Sequence, residues 1–351
     1  MKRIAAAAAA MVFSALFFAC RGEKGGGQPA GGGVPPTGTL SIIAANFPAY
    51  DFARAVTEGA GGRGPDASAG RPDASGRGPD AGAGISLTML LPPGAESHSF
   101  EPAPRDIIAI QNCAVFIYTG GESDRWAGRI LETAGGAGIN IVRMLDIVDA
   151  VEEELVEGME DEGEPPPGAE AAPAYDEHVW TSPANAARIV AALADTLCIA
   201  GEGNGTDSAL FRRNADAYIE RLGELDKEFR AVASGAARKT LVFGDRFPFR
   251  YFADAYGFTY FAAFPGCSTE SEPAAATVAF LINKIREEKI PVVFHIELSN
   301  EKMADAIAAE TGAKKLLLHS GQTISKKDFD AGLTFVEIQK ANIPRLKEAL
   351  W

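Results

Sequence analysis

The chain has 351 residues, a formal charge of −14 at neutral pH, 38 glycines and 21 prolines. Half of those glycines and prolines crowd into 21–38, 59–84 and 151–177, and the last stretch holds 11 acidic residues and no basic one. The remaining body of about 260 residues has ordinary globular composition, enough for two domains of about 130 residues, each with its own core. A net acidic body without a basic run excludes nucleic-acid binding, whose affinity comes from neutralising phosphates. Collagenous, coiled-coil and polytopic membrane classes are excluded by composition.

Residues 1–20 carry Lys2 and Arg3, an apolar stretch from Ile4 to Phe18, and then Ala19-Cys20. The stretch is short for a membrane span and suits an export signal. With the polar, Gly-rich run beginning at Arg21, it resembles a bacterial lipoprotein signal, which implies lipidation of Cys20 as the mature N-terminus. Residues 21–38 then form a flexible tether. The other cysteines, Cys113, Cys198 and Cys267, lack the CxxC spacing of zinc ribbons and thioredoxin-like sites.

From Thr39 onward, short apolar runs alternate with helical patterns. Thr39–Ala45, Ile85–Leu91, Ala114–Tyr118 and Asn140–Arg143 read as strands. Tyr50–Thr57, Pro104–Gln111 and Ser123–Ala134 read as helices between them. Continuous apolar strands separated by helices point to parallel sheets buried on both faces. The pattern resumes after residue 238. Lys239–Phe243, Thr259–Phe264, Pro291–Ile296 and Lys315–Leu318 are strand-like, Phe249–Ala255, Ala274–Glu287 and Asn300–Glu310 helical, and Asp330–Ala349 a closing amphipathic helix.

Pro183–Ser234 is almost entirely helical in pattern, and a helix beginning at Thr206-Asp207 runs unbroken to about Val232. The expected architecture is therefore α/β: two lobes, each a mostly parallel sheet flanked by helices, joined by a long rigid helix. The divisions are a signal over 1–20, a tether over 21–38, an N-terminal lobe over 39–205, a linking helix over 206–235 and a C-terminal lobe over 236–351. Segment 59–84, with its crude repeat of Arg, Pro, Asp and Gly, and the acidic segment 151–177 are expected to be disordered inserts.

Four histidines, His98, His178, His295 and His319, are the chain's whole complement. His98 and His319 follow strands, as do Asp245 and Glu297, and His178 precedes a helix start. Ligands in doubly wound sheets bind at the carboxyl ends of strands. Three imidazoles and one carboxylate make the tetrahedral set that zinc accepts. Taken singly, each has a plainer reading. Asp245 fits a turn or helix cap, Glu297 a helix cap, and His295 a satisfied core histidine.

In sequence order, Glu96-Ser-His98-Ser-Phe-Glu-Pro102, His178-Val-Trp-Thr-Ser-Pro183, Phe249-Arg-Tyr-Phe252 with Tyr256-Gly257, and Glu310-Thr-Gly-Ala313 form a specific combination. On them the chain resembles the metal-binding solute-binding proteins of bacterial zinc and manganese ABC importers. The resemblance covers nearly all of 39–351 apart from the inserts. It implies two α/β lobes with one metal ion held between them, and no catalytic step.

Carried across, His98 and His178 match the ligands of the first lobe, and His319 falls where an aspartate is usual. The position three residues before the Phe-x-Tyr-Phe motif, normally a histidine or glutamate, is here Arg246, which cannot bind a metal. Asp245 is the expected substitute, with Glu297 as the alternative. This set favours zinc as cargo, with manganese as the alternative where more oxygen ligands take part. The implied protein is a monomer, exported to the periplasm or cell surface and anchored to the membrane through Cys20. It serves an ABC importer's permease and ATPase. A surface adhesin and a zinc hydrolase with Glu297 as base are the rival functions. The acidic run ending at Glu177 is expected to raise local cation concentration beside His178.

Overall fold

A computed structural model describes residues 39–60, 84–133, 138–159, 175–202, 206–267 and 273–351. The signal, the tether, most of the 59–84 repeat and residues 160–174 lie outside the described residues. In the first lobe the strands are β1 (Leu40–Ala44), β2 (Ile85–Met89), β3 (Val115–Tyr118) and β4 (Asn140–Arg143). They pair in parallel in the order β2-β1-β3-β4. Helices α1 (Phe47–Thr57), α2 (Pro104–Gln111), α3 (Arg125–Thr133) and α4 (Pro183–Ala200) accompany them. After α5 (Ser208–Gly235), the second lobe repeats the plan with β5 (Thr240–Phe247), β6 (Thr259–Pro265), β7 (Val292–His295) and β8 (Lys314–Leu317). Their order is β6-β5-β7-β8, again all parallel. Helices α6 (Arg250–Tyr256), α7 (Ala275–Glu288), α8 (Lys302–Thr311), α9 (Lys326–Asp330) and α10 (Phe335–Leu350) complete it.

The helices begin where local chemistry starts them. The Asn46 side chain accepts the Ala49 N–H ahead of α1, Ser182 accepts that of Asn185 at α4, and Asp207 accepts that of Leu210 at α5. Each satisfies an amide that the helix itself leaves unpaired. Pro48 and Pro183 stand in first turns, where the missing N–H costs nothing.

Helix α5 has 28 residues, about 42 Å of rise. Its first half gives Phe211, Ala215, Tyr218 and Leu222 to the core under the first sheet. Its second half gives Leu225, Phe229, Val232 and Ala233 to the core of the second lobe. A mostly three- and four-residue apolar spacing keeps one face buried for the whole length. The last segment of the chain also serves both lobes. Ile324, Phe329, Phe335, Val336 and Ile338 pack in the first core, while Leu346, Ala349 and Leu350 pack in the second.

Three sequence expectations need correction. The closing helix starts at Phe335 instead of Asp330, because Gly332 takes a left-handed φ of 75° and Thr334 opens α10 with a capping box to Glu337, and Lys326–Asp330 form the separate short α9. Asp245 lies inside β5, at an irregularity between Phe243 and Arg246, instead of after the strand. The ends of the acidic 151–177 insert are built into the fold. Glu152 bridges to Tyr175 in antiparallel fashion, Met159 is buried in the second core, and Arg250 pairs with Glu154. Those carboxylates find cationic and amide partners, so this part of the run is not free to extend.

Candidate metal centre

The carboxyl ends of both sheets carry the candidate residues. His98 lies in the loop after β2, and its Nδ1 is 2.9 Å from Ser123 Oγ. His178 precedes the short helical turn leading into α4 and is fully buried. Its backbone N–H donates to Asp176 Oδ1 at 2.8 Å, and its Nδ1 stands 3.1 Å from the same oxygen. The two rings lie 5.9 Å apart between centroids, near the roughly 5 Å expected of two imidazoles sharing one tetrahedral zinc. With each Nδ1 engaged, Nε2 is the remaining nitrogen on both rings, and on His178 it faces Gln322 Oε1 at 3.3 Å.

The electrostatics of the two rings differ. Burial, then the neighbouring His178, push His98 down to about 4, against the opposing pull of Glu96. At neutral pH it is an uncharged donor. Burial also opposes charge on His178, but Asp176, Glu177 and Glu153 outweigh it and raise its pKa above the ordinary value.

The second lobe contributes a separate group. Glu297 is half-buried after β7, and its two oxygens accept from Ser320 Oγ at 2.5 Å and from the Ser320 N–H at 2.8 Å. His319 follows β8 with Nδ1 3.5 Å from Glu297 Oε2, and Nδ1 accepts the Gly321 N–H at 3.0 Å. Asp245 accepts the N–H groups of Arg246 and Ile296. His295 Nδ1 bonds to the Ile296 carbonyl at 3.1 Å and stands 3.9 Å from Glu301 Oε1. So His98 and His178 are together, Glu297 and His319 are together, and Asp245 is held on its own sheet. Among the described residues, no three His, Cys, Asp or Glu side chains converge on one point. Donor chemistry nevertheless suits zinc, since the candidate set is rich in imidazole nitrogens and its carboxylates already accept hydrogen bonds.

Several residues at the centre had no distinguishing signal in the sequence. Asp176 is one carboxylate of eleven in an acidic run, yet it is the one that orients His178. Glu177 turns away instead: its Oε1 accepts the Ser123 N–H at 2.7 Å, and burial raises its pKa. Gln322 Oε1 lies 3.3 Å from His178 Nε2. Arg246, at the position where the family resemblance expects a ligand, reaches Glu96 Oε1 of the first lobe at 3.1 Å and ties the lobes at the rim. Tyr251 of the Phe-x-Tyr-Phe motif donates its hydroxyl to the Asp176 carbonyl and accepts the Val151 N–H. That aromatic motif therefore supports the His178 segment directly. Gly266 closes the site from β6: a Cβ there would stand 3.2 Å from His178 Cε1 and 2.8 Å from the Phe247 carbonyl.

Residues 81–349 match the family described as zinc-uptake complex component A, periplasmic. The chain belongs to this family. Its members are solute-binding, non-catalytic proteins of metal transport. The high-affinity zinc uptake system protein ZnuA of Bacillus subtilis is 27% identical over 313 residues, covering 89% of this chain and 88% of that one. The zinc-binding lipoprotein AdcA of Streptococcus pneumoniae is also 27% identical, with 89% of this chain aligned to 56% of its length. Among solved structures, the metal-dependent lipoprotein YcdH of Bacillus subtilis superposes with a TM-score of 0.68 at 26% identity, covering 89% of this chain and all of that one. The Zn(II)-bound ZnuA-like domain of Streptococcus pneumoniae AdcA gives 0.66 at 24% identity over 89% and 99% of the two chains, a likeness of fold. The expected family and the two-lobed α/β fold with parallel sheets are borne out.

Proposed function

We propose that this chain captures zinc between its lobes outside the cytoplasm and delivers it to the permease and ATPase of an ABC importer. The carrying observation is the pairing of a half-buried His98 with a fully buried His178, each with Nδ1 engaged so that Nε2 is the nitrogen turned toward a cation. Within this reading His319 is the histidine ligand from the second lobe. Asp245 and Glu297 remain the candidates for a carboxylate ligand. Their present hydrogen bonds argue that nitrogen donors dominate, which favours zinc over manganese. Membrane attachment through a lipid on Cys20 and a monomeric state belong to the same proposal.

Release needs no chemistry. The ion pair between Arg246 and Glu96 and the loop through Ser320 span the cleft, so a permease that separates the lobes would break the site. Replacing His98 or His178 with alanine should weaken zinc binding at least about a hundredfold, since loss even of a ligand's supporting partner costs 10- to 100-fold. Titration against a chromophoric chelator measures it. Zinc affinity unchanged in either variant would overturn the assignment, and manganese bound more tightly than zinc by the wild type would overturn the choice of cargo.

A further inference from the structure

We infer that residues 152–159 form a strap, laid from the first lobe onto the second, whose docking shields the buried Asp176–His178 pair and slows exchange of the cation. The inference rests on the zinc-capture reading above. The chain leaves the first lobe after β4, with Val148 still in the core under the first sheet. At Glu152 it pairs in antiparallel fashion with Tyr175, and the Asp176 N–H donates to the Val151 carbonyl at 3.0 Å. The strap therefore springs from the same two-stranded ribbon that delivers His178.

The anchors beyond that ribbon belong to the second lobe. Met159 is buried in the second core, and Val156 packs against it. Glu154 pairs with Arg250 of α6 and accepts the Tyr260 hydroxyl of β6 at 3.4 Å, while Glu153 Oε1 accepts the Cys267 N–H at 2.8 Å. Gly158 has a left-handed φ of 92° and lies so close to the Phe280 ring of α7 that a Cβ would overlap it. The backbone is thus pressed onto the second lobe at a point where only glycine fits.

Docking of the strap covers one wall of the metal centre. Glu153, Glu154, Met159, Asp176, Tyr260 and Gly266 line one small cavity between the strap and β6. The carboxylate that orients His178 is thereby kept from bulk water, where it would be solvated instead of committed to the ring. The hold is modest. One buried methionine is the strap's main apolar anchor, and the Glu154–Arg250 pair is part-exposed, where ion pairs contribute little. A segment held in this way opens on its own, at less cost than unfolding either lobe. Opening uncovers Asp176 and loosens the ribbon that leads into His178, so the strap sets the rate at which the ion enters and leaves.

The test uses the full chain and two variants that attack the docking from different sides. Gly158→Val drives a side chain into the Phe280 ring at a backbone angle that a β-branched residue resists, and Met159→Ala removes the apolar anchor. In metal-free protein, amide hydrogen exchange should quicken at least about tenfold over 151–159 and 175–178 while β5 keeps its protection. From zinc-loaded protein, transfer of the ion to excess chelator in a stopped-flow mixer should be several-fold faster than from wild type. Exchange unchanged in Gly158→Val would overturn the inference. So would protection lost equally in β5, because 152–159 would then be an inseparable part of the second core. Faster exchange with zinc transfer unchanged would overturn it as well, leaving a docked segment without hold on the cation. The glycine variant leaves the second core intact and decides the matter if the alanine variant does not fold. A wild type that binds no zinc would instead overturn the zinc-capture reading, on which the metal-free exchange data do not depend, so the two failures are read separately.

Discussion

A fully buried imidazole serves a cation only when something else fixes its ring and leaves one nitrogen bare. Asp176 performs that task for His178 through one oxygen, 3.1 Å from Nδ1, while its backbone is held by Val151 and Tyr251. Asp176→Ala should therefore lower zinc affinity by about 10- to 100-fold without removing a ligand, as measured by chelator competition. Asp176→Asn should recover part of the loss, since the amide oxygen can still accept from Nδ1. Little of this was legible in the sequence. His98 and His178 were found through their type and their place after a strand and before a helix. Asp176 sat unmarked among eleven acidic residues, because composition cannot tell a solvated carboxylate from one folded back onto a ring.

Two helices decide how the lobes relate. Helix α5 buries Phe211 in the first core and Phe229 in the second, and α10 likewise begins in one and ends in the other. Phe229 meets Phe252 edge-on at 5.0 Å, and Phe52 meets Phe335 edge-on at 5.4 Å. Truncating either α5 phenylalanine to alanine should cost about 3–5 kcal/mol by urea unfolding. Both variants should shift one common transition, because a continuous helix cannot lose one half's packing without straining the other. Two separate transitions would contradict the shared helix. The apolar spacing of α5 was plain in the sequence, and its 28 residues agree closely with the expected start and end. The role of α10 was not, because an amphipathic pattern gives a buried face without naming the partner it is buried against.

At the scale of the molecule, the cleft is crossed by the 319–324 loop, by Arg246 with Glu96, and by Tyr251, as well as by the two long helices. Such a body should melt as one unit, with zinc raising its stability by mass action. At a free zinc concentration 100 times Kd the gain is about 2.7 kcal/mol, which moves the midpoint upward by roughly 4–5 °C for a folded body of about 260–310 residues. Calorimetry with and without zinc checks this, and His98→Ala should lose most of the shift. A wild-type midpoint indifferent to zinc would speak against capture in the cleft.

The sequence by itself determined the alternation of parallel strands and helices, the long linking helix and the family, and it singled out the two candidate histidines of the first lobe. Those follow from periodicity, from caps and from residue types that stand next to their own elements. Only the tertiary structure decided that Asp245 sits within β5 held by backbone amides, that Glu297 clamps Ser320, and that Gln322 reaches His178 from 144 positions away. The acidic excess noted at the outset also changed meaning. Part of that run is folded against Arg250, Cys267 and Tyr175, and one member orients a buried ring. The physical reason is the same in each case: local pattern fixes which face of an element is buried, whereas a side chain's partner depends on distances closed by the rest of the chain.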